Sequence, residues 1–350
     1  MAYPSGCNDC RFPRTHERNR RPMQATVILG MSSAAALAFA NGANDISKSI
    51  ATLVGSGESD YRKAVLVTSL AVAAGGVLAS AWAVKMTLLF TKGMLAPQVQ
   101  LNQSFALAIL GGAVGWVLLA ARFGMPVSTT HAIVGATVLT GVYAFGFDQV
   151  LWASVGRKVA LPLLLSPVVA FGGAWLTFKS LHWLCREQYC LNCHWAHWAS
   201  ALASGFARGL NDTPKIAGLG FFFYAVLDPS VTVAPRWFFL VLAATNAVGG
   251  LVMGLRVTET LAHKVAKMDH LEGFAANLAT TALVVATALQ GFPVSTTHVS
   301  SSAIMSIGFK GGKGGVNLAT VGQIALAWLV TLPVAGALGV ACYWILRRPA

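Results

Sequence analysis

From about residue 24 to residue 346 the chain alternates long apolar stretches with short polar interruptions. A helix rising ~1.5 Å per residue needs roughly 20 mainly apolar residues to cross a bilayer. Seven stretches have that length: 24–43, 63–84, 103–121, 159–178, 236–255, 274–291 and 320–346. Five shorter or interrupted ones, 44–57, 127–147, 195–207, 216–227 and 294–309, suit half-helices or re-entrant segments. The pattern predicts an all-α polytopic transmembrane protein with broken helices and about 10–12 membrane segments. The remaining loops leave no room for a large soluble domain.

The polar interruptions are not scattered. FANGANDISK (39–48) and FARGLNDTPK (206–215) each set Asn beside Asp and place a Lys three residues after the Asp. Their offset, Asp45 to Asp212, is 167 residues. GMPVSTTHAIVG from Gly124 and GFPVSTTHVSSS from Gly291 repeat at the same offset. Two long matches at one offset mark an internal duplication. The chain therefore divides into a tail (1–23), a first repeat (24–178), a linker (179–198) and a second repeat (199–346). Sequence alone leaves parallel and inverted arrangements of the repeats open. Duplicated halves with Gly- or Pro-broken hydrophobic segments point to secondary transporters, whose site lies near the midplane where broken helices meet.

The residue types fit that reading. Proline is tolerated at a helix start, and Ser128 or Thr129 can cap the helix that follows. Free N–H groups at such a tip attract anions. Ser128, Thr129 and Thr130, with Ser295, Thr296 and Thr297, add hydroxyls on which two tips could cradle a small tetrahedral oxyanion. His131 and His298 are candidate proton or substrate contacts. Asp45 and Asp212, costly in an apolar setting, are expected to face a functional interior. Gly42 and Gly209 would permit unwinding, so that backbone carbonyls with Asn44, Asp45, Asn211 and Asp212 bind a cation. Lys48 and Lys215 could neutralise the aspartates or meet the substrate, and Pro214 is expected to kink or restart its helix. Structural ion pairs are the alternative for the lysines. Asn246, Asn277 and Gln290 are weaker candidates for lining the site. The paired glycines 75–76, 111–112, 172–173 and 249–250 read as packing positions.

Composition adds limits. Charged residues make up 11 % of the chain, against ~25 % in soluble domains. Of the formal charge of +13, Arg11, Arg14, Arg18, Arg20 and Arg21 crowd the tail, which places it on the cytoplasmic side. A cleavable leader is disfavoured, because removing it would remove the first motif. Without a soluble module, the positive charge does not imply nucleic-acid binding. Cys185, Cys190, Cys193, His194 and His197 have spacings that could hold zinc, and Cys190–His194 matches a haem-attachment pattern. Trp183, Trp195 and Trp198 favour an interfacial linker instead. Cys7 and Cys10 form a second pair of no greater weight. No resident cofactor is expected, and no enzymatic arrangement appears beyond Ser near His.

The elements NGANDISKSIATLVGSG and ARGLNDTPKIAGLG, with PVSTTH twice, resemble the inorganic phosphate transporter (PiT, or PHO4) family over about residues 24–345. The resemblance implies two inverted repeats, roughly twelve segments, often a homodimer, in an inner or plasma membrane. It implies symport of inorganic phosphate with Na+ or H+ by alternating access. Asn44, Asp45, Asn211 and Asp212 would take part in ion and phosphate binding, and Ser128–Thr130 and Ser295–Thr297 would surround the phosphate. Many members read Ala-Asn where this chain has Ser47-Lys48, a departure that bears on the coupling ion. Transport of another oxyanion, chiefly sulfate, is the alternative within the class. An anion channel or a nutrient sensor is the alternative outside it.

Overall fold

A computed structural model describes residues 15–184, 193–227, 234–309 and 315–347. The first repeat holds α1 (Thr15–Gly55), α2 (Tyr61–Trp82), α3 (Val84–Lys92), α4 (Gln103–Arg122), α5 (Thr129–Phe145) and the short α6 (Trp152–Ser154). A π-helical turn, Val155–Ala160, joins α6 to α7 (Leu161–Leu184). The second repeat holds α8 (Cys193–Leu227), α9 (Arg236–Met253), α10 (Leu255–Glu259), α11 (His270–Gln290), α12 (Thr296–Phe309) and α13 (Leu318–Leu346). Each element of the second set matches one of the first in order, with α13 standing for α6 and α7.

Local chemistry marks the helix starts. Asp60 caps α2, Asn102 caps α4, and Asn317 caps α13. Asp269 and Glu272 form a reciprocal capping box at α11. Such caps are worth ~1 kcal/mol each. Single antiparallel bridges, Leu95 with Val150 and Ala266 with Val316, tie the connections before α4 and α11 to the segments after α5 and α12.

The halves do not fold side by side. α1 packs on α9 and α8 packs on α2. α13 lies against α4 and α5 of the first repeat, while α7 lies against α11 and α12 of the second. Glycines allow the closest of these contacts. A Cβ at Gly42 would overlap Asn246 of α9, and one at Gly209 would overlap the backbone of Val72 in α2. In the same way Gly75 faces the Phe206 backbone, Gly249 that of Phe39, and Gly112 the backbone of α13. Gly172 and Gly173 have open space beside them, so the packing expected of that pair is not found.

The polarity is that of a membrane protein. Leu70 and Leu329 are 73 % and 74 % exposed, on a surface otherwise also rich in Leu and Val, whereas Asn44, Asp45, Lys48, Arg208, Asn211, Asp212 and Lys215 are all buried. Among the described residues, seven helices are long and apolar enough to cross a membrane, and they coincide with the seven long stretches of the sequence. The shorter α5 is apolar as well. The protein is an all-α, multi-pass membrane protein of the plasma or inner membrane type.

Two expectations need correction. The stretches 24–43 and 44–57 are one helix, and so are 195–207 and 216–227. Neither Gly42 nor Gly209 unwinds its helix, and α8 continues through Pro214 without a restart. The glycines serve close helix approach instead. The chain breaks elsewhere, between α4 and α5 and between α11 and α12.

Candidate functional site

The two breaks meet at the middle of the fold. After α4 the chain turns at Gly124 (φ +69°) and after α11 at Gly291 (φ +81°), a backbone region that favours glycine. Pro126 and Pro293 follow, in segments that form no helix. Ser128 then caps α5, its Oγ accepting from His131 N at 3.2 Å, and Ser295 caps α12 by the same bond from His298 N at 3.1 Å. The first N–H groups of a helix have no partner within it, so each break turns a helix start toward the interior.

Each lysine seals one break. Lys48 Nζ donates to Asn44 Oδ1 (2.9 Å), Asp45 Oδ1 (3.1 Å) and the carbonyl of Val127 (3.1 Å). Lys215 Nζ donates to Thr130 Oγ1 (2.7 Å), Asp212 Oδ1 (2.9 Å) and the carbonyl of Val294 (3.2 Å). Val127 and Val294 are equivalent, so each ammonium sits among three oxygens, one of them a carbonyl freed by the break. The breaks also cross-link: Thr297 Oγ1 donates to the Val127 carbonyl at 2.7 Å, and Thr130 Oγ1 lies 3.4 Å from the Val294 carbonyl. Asn44 fastens α1 to its break, donating to Met125 O (2.8 Å) and accepting from Val127 N (3.1 Å). Asn211 donates to Asp212 Oδ1 (2.7 Å) and Val294 O (3.3 Å).

The carboxylates face one another. Thr296 Oγ1 is 2.8 Å from Asp45 Oδ1 and 3.3 Å from Asp212 Oδ2, so one hydroxyl reaches both. A third cation completes the cluster. Arg208 Nη1 donates to Asp45 Oδ1 at 2.8 Å, and Nη2 bonds Ser300 Oγ. Burying five ionisable side chains is tolerable only because each is paired and hydrogen-bonded. Three cations against two carboxylates leave the cluster net positive in its fully ionised form. Several polar atoms here remain buried without a partner: Thr129 Oγ1, Arg208 Nε, Asn211 Oδ1 and Ser301 Oγ. Buried orphans of this kind cost free energy.

The fold thus gathers Asn44, Asp45, Lys48, Asn211, Asp212, Lys215 and both Ser-Thr-Thr runs in one place. His131 and His298 pack against each other at a tilt of 38° with ring centroids 4.5 Å apart, and His131 Nδ1 contacts Ser128 Oγ at 2.8 Å. Asn277 is occupied elsewhere, donating to Thr52 Oγ1 at 2.8 Å. Asn246 packs against Gly42. Gln290 is exposed and lines nothing here. Arg208 is the residue that motif reading passed over. Its signal was present: the two copies differ there, FAN against FAR, so Asn41 holds the equivalent position. Of the linker cluster, Cys185 and Cys190 lie outside the described residues, and His194 and His197 are far from this site along α8.

Comparison with known proteins agrees with this architecture. Residues 41–339 match the family model described as the phosphate transporter family, PHO4. A "probable low-affinity inorganic phosphate transporter" of Mycobacterium bovis is 30 % identical over 331 residues, covering 92 % of this chain and 78 % of that protein. One of the same description from Bacillus subtilis is 28 % identical, covering 91 % and 97 %. A solved structure titled "The sodium-dependent phosphate transporter" shares the fold, with a TM-score of 0.84 and 23 % identity over 92 % of this chain and 99 % of that one. With both breaks and the whole buried cluster inside the matched region, this chain belongs to the phosphate transporter family of secondary membrane transporters.

Proposed function

We propose that this protein carries inorganic phosphate across the membrane by alternating access, driven by a co-transported cation. The observation that carries the reading is the pair of helix breaks facing a net-positive cluster that includes buried orphan donors. The anion would lie between the starts of α5 and α12, on Ser128–Thr130 and Ser295–Thr297, with Arg208 turning its unpartnered Nε–H to it. Guanidinium groups suit planar, multidentate recognition of phosphate oxygens. Substrate chemistry also favours phosphate over sulfate. Hydrogen phosphate carries a proton and needs an acceptor, which Asp45 and Asp212 supply beside the hydroxyls. Sulfate, with no proton to donate, would meet only repulsion from them.

Of Na+ and H+, the site favours H+. The oxygens around Lys48 and around Lys215 are the kinds of ligand a sodium ion uses, and a tethered ammonium already fills each set. A lysine cannot leave with the substrate, so net cation movement through these pockets requires exchange of a proton. The driving ion matters because moving one charge through 100 mV costs about 2.3 kcal/mol, and a divalent anion entering a negative interior pays twice that. The test is uptake of radiolabelled phosphate into proteoliposomes under imposed H+ or Na+ gradients, with unlabelled sulfate as competitor. Uptake driven by H+, indifferent to Na+ and to sulfate, is expected. Entry of labelled sulfate without phosphate would overturn the substrate, and strict Na+ dependence would overturn the coupling ion.

A further inference from the structure

The histidines between the repeats take no part in the central cluster, yet they converge on a partner of their own. His194 and His197 stand at the start of α8, His270 begins α11, and Glu58 lies in the connection between α1 and α2. His194 Nδ1 bonds Glu58 Oε2, and His270 Nδ1 lies 3.0 Å from the same oxygen. The rings of His194 and His270 are 4.4 Å apart between centroids. One ligand atom from each of Glu58, His194 and His270 fits within 4.8 Å of the other two. His270 Nδ1 nevertheless makes no hydrogen bond. Behind them His197 is fully buried, 6.1 Å from the His270 ring, with neither ring nitrogen partnered.

We infer that Glu58, His194 and His270 form a binding site for a divalent transition-metal ion of the Zn2+ type, separate from the central cluster. Two imidazoles and a carboxylate are an established zinc set, with bonds of ~2.0–2.2 Å and a fourth position left for water. Tetrahedral bonds of that length separate ligand atoms by about 3.3 Å, so small side-chain adjustments bring these three into range. An ion between them would also give the misaligned His270 nitrogen and the Glu58 oxygen a common partner. His194 is more than half exposed, which leaves a route for the ion to enter.

The cluster was not inherited from the duplication. The positions equivalent to His194 and His270 in the first repeat are Val27 and Gln103, neither of them a usual metal ligand. Its three residues come from three elements: a first-repeat connection and the starts of two second-repeat helices. α8 runs on to Arg208, fourteen residues or about 21 Å from His194, and α11 ends at the second helix break. A bound ion would staple the halves together at one membrane surface.

The full chain, purified in detergent and stripped by a chelator, would be titrated with Zn2+ by calorimetry and with Co2+ by visible absorption. One ion per chain with micromolar or tighter affinity is expected, with a rise in the thermal midpoint. His194→Ala, at an exposed position where folding is not at risk, and Glu58→Gln should each weaken binding at least tenfold and remove that rise. Replacing Cys185, Cys190 and Cys193 by Ser should leave both intact. The assignment fails if no ion binds, if His194→Ala and Glu58→Gln bind as tightly as wild type, or if the cysteine replacements abolish binding together with a thiolate–cobalt band. None of these readouts depends on whether phosphate is the transported anion.

Discussion

At the level of single residues, the centre of this protein is a problem of buried charge with a specific solution. Asp45 accepts from Lys48 and Arg208, Asp212 accepts from Lys215 and Asn211, and the Thr296 hydroxyl lies within reach of both. Removing one partner of a buried pair leaves a charge uncompensated and costs ~3–5 kcal/mol. Arg208→Ala should therefore lower the thermal midpoint by several degrees and abolish uptake, while Arg208→Lys should regain much of the stability but little of the transport. Equal recovery of both would reduce Arg208 to an ion-pair role. The lysines support a different experiment. In Lys48→Ala and Lys215→Ala an oxygen pocket loses its ammonium, and a sodium ion can take the place. Each variant should show Na+-stimulated phosphate uptake or binding that wild type lacks; indifference to Na+ in both would remove the surrogate-cation reading. The Asn-Asp-x-x-Lys residues were legible in the sequence because they occur twice. Arg208 was not, since it stands where the repeat fails, and a search for identities passes over the differences that break the symmetry of a site.

At the level of elements, the sequence revealed where the helices stop better than where they continue. Pro-Val-Ser-Thr-Thr-His combines a residue that cannot extend a helix with one that caps the next, and both copies do so. Ser128 and Ser295 each cap a helix, and in the proposed site they would also meet the anion, so their loss would have two effects. Ser128→Ala with Ser295→Ala should cost ~1 kcal/mol per cap and raise the half-saturation concentration for phosphate several-fold, with the maximal rate falling less. An unchanged half-saturation value would confine the serines to capping. Gly42 and Gly209 misled because glycine has two uses, backbone freedom and close approach, and local sequence does not separate them. Only the partner helix does. The backbone of Val72 and the amide of Gly76 lie where a Cβ on Gly209 would go. Gly209→Ala should accordingly lower the thermal midpoint markedly, whereas Gly172→Ala, with open space beside it, should leave it unchanged or slightly higher. If the two substitutions have equal effects, the α2–α8 approach is looser than described.

At the level of the whole molecule, the two repeats exchange helices: α1 and α8 each pack on the other half, as do α7 and α13. The seven helices long and apolar enough to cross a membrane were visible as long apolar runs, because lipid demands that length and composition. The exchange was not visible, since it depends on contacts hundreds of residues apart that no local pattern encodes. It bears directly on mechanism. With each half clasped by the other, the alternating access proposed above would take the form of rocking around the central cluster, where Thr130 and Thr297 bond across the breaks. A rocking carrier must return its site after each delivery, and it returns faster loaded than empty when the empty cluster is held by its own ion pairs. Arg208 with Asp45 and the two lysines with their oxygens are such pairs. Proteoliposomes preloaded with unlabelled phosphate should therefore take up labelled phosphate several-fold faster than empty ones, even with every ion gradient collapsed. A channel gives no such acceleration, because flow through an open pore does not wait for a site to come back. Equal initial rates in loaded and empty vesicles would mean that the cluster is not carried between two faces, and that the exchanged helices serve stability alone.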